Sequence, residues 1–196
     1  MNKTRQSIRL SKYDYSQSCA YFVTICAQNK KYFFGNMVND EMVLNDAGKM
    51  IALEWSELPE RFPHVKLDEF VIMPNHFYGI VVFSRGESCV RSKTGEQSTG
   101  KIDEMGEHIS GEHKVRPYGT LPGTLGRIIQ AFKSITTNRY IAGVKQKQWP
   151  PFQGKLWQRN YYEHIVRHEN ELNDIRKYIR ENSKKWDLDR ENPTAR

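Results

Sequence analysis

The alternation of apolar and polar residues along the chain predicts strands and helices in a definite order. Runs rich in β-branched and aromatic residues predict strands at 20–27, 65–73, 76–83 and 156–167. A hairpin is predicted at 32–45, with its turn near Asn39 and Asp40. Apolar side chains at helical spacing predict helices at 44–62, at 120–142 from about Gly123, and at 169–186.

The first predicted helix carries its own start and stop signals. Asn45 or Asp46 can cap its amino end. Pro59 lies near its carboxyl end, where a proline stops or kinks a helix. The apolar stripe that predicts its buried face comprises Ile51, Trp55 and Leu58.

The order of the predicted elements is close to the split β-α-β arrangement called ferredoxin-like, with one extra helix at the end. The strands at 65–73 and 76–83 are joined only by Pro74 and Asn75, so they are predicted to be antiparallel. The predicted fold class is therefore α+β, a ferredoxin-like or RRM-like antiparallel sheet. Its helices are expected on one face, in addition to the C-terminal helix that bears Tyr178.

The composition of the 196-residue chain predicts a single domain over residues 1–186. Residues 84–119 are dominated by Gly, Ser, Thr, Glu and Lys. This composition, in a segment too long for an ordinary connection, predicts a mobile insertion. His108 and His113 lie in it without neighbouring cysteines, so solvated side chains are expected rather than a metal site. Residues 187–196 form a polar tail that is expected to fray.

Several classes of protein are excluded by what the sequence lacks. No run of about 18 apolar residues occurs, so no membrane-spanning helix is expected. The first 15 residues are basic without an apolar segment, which is unlike a secretory signal peptide. The three cysteines are an odd number at no metal-ligand spacing, which favours reduced thiols in a cytoplasmic protein. They are Cys19, Cys26 and Cys89.

The distribution of charge points to an anionic partner more sharply than the net charge of +7 does. Residues 113–162 contain no Asp or Glu, and aromatic residues are interleaved with their cations. This combination suits a phosphate backbone with stacked bases, although an ordinary basic helix and loop is the alternative. The cations are Lys114, Arg116, Arg127, Lys133, Arg139, Lys145, Lys147, Lys155 and Arg159.

Two pairs of residues are candidates for chemistry. His76 and Tyr78 are two apart on a predicted strand and therefore share a face. A second His at position 78 would complete a metal-binding pair, whereas a neutral phenol is a poor ligand for a hard cation. Tyr178 and Asn182 share a face of the last helix, so a phenol and an amide oxygen lie together. For each residue a purely structural role is the competing interpretation.

Five segments together resemble the REP-associated branch of the single-tyrosine HUH transposases. The resemblance runs in order from about residue 5 to residue 186 and is broken mainly at 84–119. The segments read YFVTICAQN, VIMPNHFYGI, LGRIIQAFKSITTNRY, LWQRNYYEHIVR and LNDIRKYIRENSKKW.

This resemblance implies recognition and cleavage of hairpin-forming single-stranded DNA. Tyr178 matches the nucleophile, His76 the first metal ligand and Asn182 a polar ligand one helical turn after the tyrosine. The implied cofactor is Mg²⁺ or Mn²⁺, and the implied product is a 5′-phosphotyrosine link with a free 3′-hydroxyl. A monomer or a homodimer is compatible with the resemblance. The candidate DNA contacts are Arg127, Lys133, Arg139, Lys155 and Arg159.

Two departures from the family pattern bear on activity. Tyr78 stands where the family has its second His, and Ser183 follows Asn182 where a proline is common. Loss of a direct ligand is expected to weaken metal binding by at least the factor of about 10–100 seen when supporting groups are lost. A substitute imidazole would have to come from elsewhere, and the other His residues outside the insertion are His64, His164 and His168.

Three functions therefore remain open from the sequence. The first is a metal-dependent DNA strand transferase acting through Tyr178. The second is a catalytically inactive module of the same fold that binds DNA hairpins. The third is an RNA-binding protein on an RRM-like sheet, but the aromatic segments of that class are missing.

Overall fold

The structure is a computed structural model that describes residues 20–84 and 123–194. The strands are β1 (Ala20–Cys26), β2 (Gly35–Val38), β3 (Glu41–Leu44), β4 (Val65–Met73), β5 (His76–Phe83) and β6 (Tyr162–Val166). The helices are α1 (Asp46–Ser56), α2 (Leu58–Arg61), α3 (Leu125–Lys147) and α4 (Glu169–Glu181). All but the first residue of the predicted insertion lies outside the described residues, as do Cys19, Cys89, His108 and His113.

Four strands form one antiparallel sheet in the order β4-β5-β1-β6. β1 therefore lies between β5 and β6, with β4 at the edge beside β5, which is the ferredoxin-like strand order. β2 and β3 pair separately as the predicted hairpin. Asn39 and Asp40 both adopt positive φ at its turn, as a two-residue hairpin loop requires. The predicted α+β fold class is confirmed.

The two faces of the sheet are covered by different helices. One face of β1 and β5 packs against α1 and α3, with Trp55, Phe77 and Phe132 in mutual ring contact. The other face packs against α4 through Leu172 and Ile179. Since side chains alternate along a strand, the faces are fixed by register. The helix that bears Tyr178 thus lies opposite the main helical layer.

The helix and strand ends differ from the prediction in physically clear ways. Asn45 caps α1 by accepting a hydrogen bond from the Gly48 amide at 2.9 Å. The predicted helix 44–62 breaks after α1, and Pro59 falls in the first turn of α2, where its missing N–H is harmless. α3 continues to Lys147, beyond the predicted end at 142. Among the helices of the described residues, none has the length and apolar character of a membrane-spanning segment.

The fourth strand is shorter than predicted, since β6 begins only at Tyr162. The preceding residues form a loop whose Trp157 is 4% exposed and makes an isolated bridge with Ala27. The amine of Lys133 donates to the carbonyls of Gln158 and Asn160 at 3.0 and 2.9 Å. These contacts fix the loop beside the end of β1.

The segment after α4 is packed rather than frayed, so the prediction for the first part of the tail is wrong. A 3-10 helix at Ser183–Leu188 places Trp186 against the ring of His76, with centroids 5.9 Å apart. The side-chain amide of Asn75 donates to the Glu191 carbonyl at 2.9 Å. Asn192 is also buried, at 4% exposure. Polar residues here satisfy buried backbone groups, a role that composition does not reveal.

Candidate active site

His76 lies at the first position of β5, and its ring tautomer is fixed by Asn75. The Asn75 amide nitrogen donates to two carbonyls, those of Lys30 and Glu191, so its Oδ1 is the acceptor that faces His76. His76 Nδ1 is 2.7 Å from this oxygen and must donate to it. The lone pair of the imidazole is therefore on Nε2, which is buried and has no hydrogen-bond partner.

Tyr178 projects from α4 toward β5 and is the accessible member of the site. Its side chain is 41% exposed, whereas Tyr78 is only 4% exposed. The Tyr178 hydroxyl donates to the Tyr78 hydroxyl at 3.2 Å. Its ring packs edge-on against Phe22 and Tyr78. These contacts hold the phenol oxygen at the rim of a buried polar cluster.

A carboxylate that the sequence prediction missed lies at the centre of this cluster. Asp189 is 5% exposed. Its Oδ2 accepts hydrogen bonds from the Tyr78 hydroxyl at 3.2 Å and from the Asn182 amide at 3.0 Å. The same oxygen is 3.9 Å from His76 Nε2. We call His76, Tyr78, Tyr178, Asn182 and Asp189 the Tyr178 cluster.

The structure thus brings the four predicted residues of the site together. Asp189 follows α4 within a stretch predicted to be a loose tail, and no spacing or periodicity connects it to Tyr78, 111 residues earlier. The only sequence signal was Trp186, whose apolar ring predicts that the chain after α4 is anchored.

Burial keeps the titratable rings of the cluster neutral. It lowers the pKa of His76, although the carboxylates of Asp189 and Glu191 oppose this shift. It raises the pKa of Tyr78, and the hydrogen bond from Tyr178 adds to the increase. It also raises the pKa of Tyr178 above the usual value for a phenol. At neutral pH the site therefore has a neutral imidazole, which can donate a lone pair, and two protonated phenols.

The divalent cation that the family resemblance implies would have to be held by the donor atoms of this cluster. The described residues contain no group of three or more His, Cys, Asp or Glu side chains arranged around one point. The Tyr178 cluster offers one imidazole and one carboxylate, and Asn182 adds an amide oxygen. That oxygen, like His76 Nε2, is buried without a partner. The donor chemistry fits Mg²⁺ or Mn²⁺.

None of the three alternative histidines replaces the missing ligand. His164 faces the α4 side of the sheet, but its Nε2 is 2.6 Å from the carboxylate of Glu171. His168 caps α4, where its Nδ1 accepts from the Glu171 amide at the end of the helix remote from Tyr178. His64 precedes β4 at the opposite end of the sheet from His76.

The predicted DNA contacts fall into two groups. Arg127, Lys133 and Arg139 lie on α3, on the face of the sheet opposite Tyr178. Arg139 also pairs through Nε with the buried carboxylate of Glu54 at 2.6 Å. Lys155 and Arg159 are exposed in the loop before β6. The Gln158 amide of this loop donates to the carbonyl of Cys26, the residue paired with His76.

Comparisons with known proteins place the chain as follows. No model of a known protein family matches the sequence. An uncharacterized protein of Haemophilus influenzae is 36% identical over 188 residues, which cover 94% of this chain and 91% of that protein. The structure of a REP-associated tyrosine transposase bound to a REP hairpin matches with a TM-score of 0.53 and 13% identity. That match covers 95% of this chain and 74% of the transposase chain and shows a shared fold.

A second solved structure, provisionally described as a transposase from Deinococcus radiodurans, is more distant. It matches with a TM-score of 0.43 and 14% identity. The match covers 92% of this chain and 96% of that one.

Proposed function

The chain belongs to the family of the uncharacterized Haemophilus influenzae protein, and we propose that it cleaves and rejoins one strand of DNA through the hydroxyl of Tyr178. One observation carries this proposal. Tyr178 is the accessible phenol of the cluster, and its hydroxyl is hydrogen-bonded to a buried polar network that also contains an unpartnered imidazole nitrogen. The fold shared with a tyrosine transposase supports the same chemistry.

In the proposed reaction the phenol oxygen of Tyr178 attacks a backbone phosphorus atom. A bond forms between that oxygen and phosphorus as the phenol releases its proton to solvent, the bond from phosphorus to the 3′-oxygen breaks, and the departing oxygen takes up a proton from solvent. The phosphotyrosine link keeps the phosphodiester bond energy for rejoining. A Mg²⁺ or Mn²⁺ ion bound by His76 and Asn182 would polarise the phosphate. Tyr78 orients the nucleophile by accepting its hydrogen bond.

The proposed substrate is single-stranded DNA that folds into a hairpin, bound in the cytoplasm by a monomer or a homodimer. Lys155 and Arg159 are the proposed phosphate contacts nearest to the cluster. Both are exposed on the loop before β6. The Gln158 amide of this loop donates to the carbonyl of Cys26, which is paired with His76 in the sheet. Arg127, Lys133 and Arg139 on α3 would contact DNA only if it extends around the sheet.

The second candidate function is hairpin binding without cleavage. The position of Tyr78 favours it, since a neutral phenol occupies the place of a metal ligand and hydrogen-bonds to Asp189 instead. Trp186, which stacks on His76, also closes the cluster from that side.

A covalent-adduct assay tests the first candidate against the second. The protein is incubated with Mn²⁺ and labelled hairpin-forming single strands from the flanks of its own gene, and an SDS-resistant band is sought. The band is expected in the native chain, absent in Tyr178→Phe and retained in Tyr162→Phe. Tyr162 is a matched control because its side chain is 50% exposed.

The outcomes separate the two functions. A band that survives in Tyr178→Phe contradicts the assigned nucleophile. A band seen only in Tyr78→His, with DNA binding intact in the native chain, supports the binding module. The binding module is also supported if gel shifts show DNA binding by the native chain while neither the native chain nor Tyr78→His gives a band.

A further inference from the structure

Asp189 is a buried carboxylate that lacks a cationic partner among the described residues. Its hydrogen bonds come from neutral groups, namely the Tyr78 hydroxyl, the Asn182 amide and the backbone amide of Glu191. The nearest basic group is His76 Nε2, 3.9 Å from Asp189 Oδ2, and the proton of this imidazole is on Nδ1, which donates to Asn75. A carboxylate at 5% exposure is costly to keep without a compensating positive charge. The surroundings of Asp189 therefore suit a cation.

Two further donor atoms in the same cluster are also unsatisfied. His76 Nε2 and Asn182 Oδ1 are both buried without a hydrogen-bond partner. Two atoms that each lie about 2.1 Å from one ion are at most about 4.2 Å apart. The separation of 3.9 Å between His76 Nε2 and Asp189 Oδ2 is within this limit. A single ion can therefore contact the imidazole and the carboxylate together.

We propose that Asp189 is the metal ligand that replaces the His missing at position 78, so that His76, Asp189 and Asn182 hold one divalent cation. Tyr78 takes a different role in this arrangement. Its hydroxyl donates to both oxygens of Asp189, at 3.4 and 3.2 Å, and thereby sets the orientation of the carboxylate. The phenol is thus a positioning residue for the new ligand. Its effect on catalysis rests on the strand-transfer function proposed above.

The donor set also indicates the kind of ion. A carboxylate and an amide oxygen suit hard cations such as Mg²⁺ and Mn²⁺. An imidazole nitrogen favours Mn²⁺, which is the softer of these two ions. Mn²⁺ is therefore the better probe. It has the further advantage that its unbound form is measured directly by electron paramagnetic resonance.

Mn²⁺ titration of the full chain without DNA tests the site. The native protein is expected to bind one ion, and Asp189→Asn is expected to weaken binding at least about tenfold. Asp187→Asn is the matched control, since Asp187 is exposed two residues away, and it should leave the affinity unchanged. Thermal melts by circular dichroism verify that each variant is folded. The absence of binding by the native chain, or an affinity of Asp189→Asn within about twofold of Asp187→Asn, would overturn the proposal.

A metal-preference switch distinguishes a ligand from a structural residue. Asp189→Cys is expected to lose Mn²⁺ and gain Cd²⁺ relative to the native chain, because a thiolate prefers soft ions. The native chain, with the same three other cysteines, supplies the background. An unchanged ratio of the two affinities contradicts direct ligation.

The adduct assay, run separately, keeps the two proposals distinct. A Tyr178-dependent adduct without Mn²⁺ binding at Asp189 leaves strand transfer standing and removes this site. Asp189-dependent binding without any adduct removes strand transfer and retains the site.

Discussion

The Tyr78 side chain is 4% exposed, and its hydroxyl is hydrogen-bonded on both sides. It accepts from Tyr178 and donates to Asp189, so one oxygen links the proposed nucleophile to the buried carboxylate. A His at this position would reach a metal directly but would not form the same bridge. The residue at position 78 therefore decides how Asp189 is held as well as which atoms face the ion.

Removing this hydroxyl is expected to lower stability. Tyr78→Phe leaves Asp189 with one donor fewer in a buried setting, and the free energy of unfolding should fall by about 1–2 kcal/mol. Urea denaturation at pH 7 measures the change. Tyr162→Phe, at an exposed position, should change stability by less than about 0.5 kcal/mol. Equal effects of the two variants would mean that the hydrogen bonds of Tyr78 contribute nothing.

At the scale of the elements, α4 is attached to the sheet by an ion pair as well as by its apolar stripe. The guanidinium of Arg176 donates to both carboxylate oxygens of Asp68 on β4, with the shortest contact at 2.6 Å. This hydrogen bonding lowers the pKa of Asp68 below its usual value. Since Tyr178 is two residues further along α4, the pair also fixes the position of the proposed nucleophile.

The ion pair predicts a specific pH dependence of stability. The pKa of Asp68 is lower in the folded chain than in the unfolded chain, so its contribution is complete above about pH 4, the unfolded value, and is lost as the pH falls through the folded value. Asp68→Asn should lower the free energy of unfolding by about 1 kcal/mol at pH 7. The difference from the native chain should shrink below about pH 4, as followed by urea denaturation. Glu69→Gln removes a longer pair of 3.8 Å with Arg180 and serves as the control.

At the scale of the whole molecule, the sheet separates the basic helix α3 from the Tyr178 cluster. Sequence periodicity was sufficient for the fold, since the alternation in β1 and β5 fixes both faces and hence the side on which His76 and Tyr78 lie. It was insufficient for Asp189, because the contact between a tail and a strand 111 residues away depends on packing around Trp186. The distribution of charged residues along the sequence likewise could not show that Arg139 is already paired with the buried carboxylate of Glu54.

This separation predicts that the basic residues differ in their effect on DNA binding. Arg159→Ala is expected to weaken binding to single-stranded hairpins. The slope of log affinity against log salt concentration should fall by about one unit, as for the loss of one phosphate contact. Arg139→Ala should mainly lower stability, because Glu54 is 1% exposed and loses its closest cation. Fluorescence anisotropy across a salt series and urea denaturation measure the two effects. A loss of affinity confined to Arg139→Ala would assign the DNA to the α3 face.

The Tyr178 cluster takes its residues from two distant parts of the sequence, positions 76–78 and 178–189. During synthesis the first part leaves the ribosome long before the second exists. A nascent chain, or one cut short by a premature stop codon between the two parts, thus carries the His without the tyrosine and the carboxylate. Under the proposed function, the ability to nick DNA appears only late in translation, so incomplete products of this gene pose no threat to the chromosome.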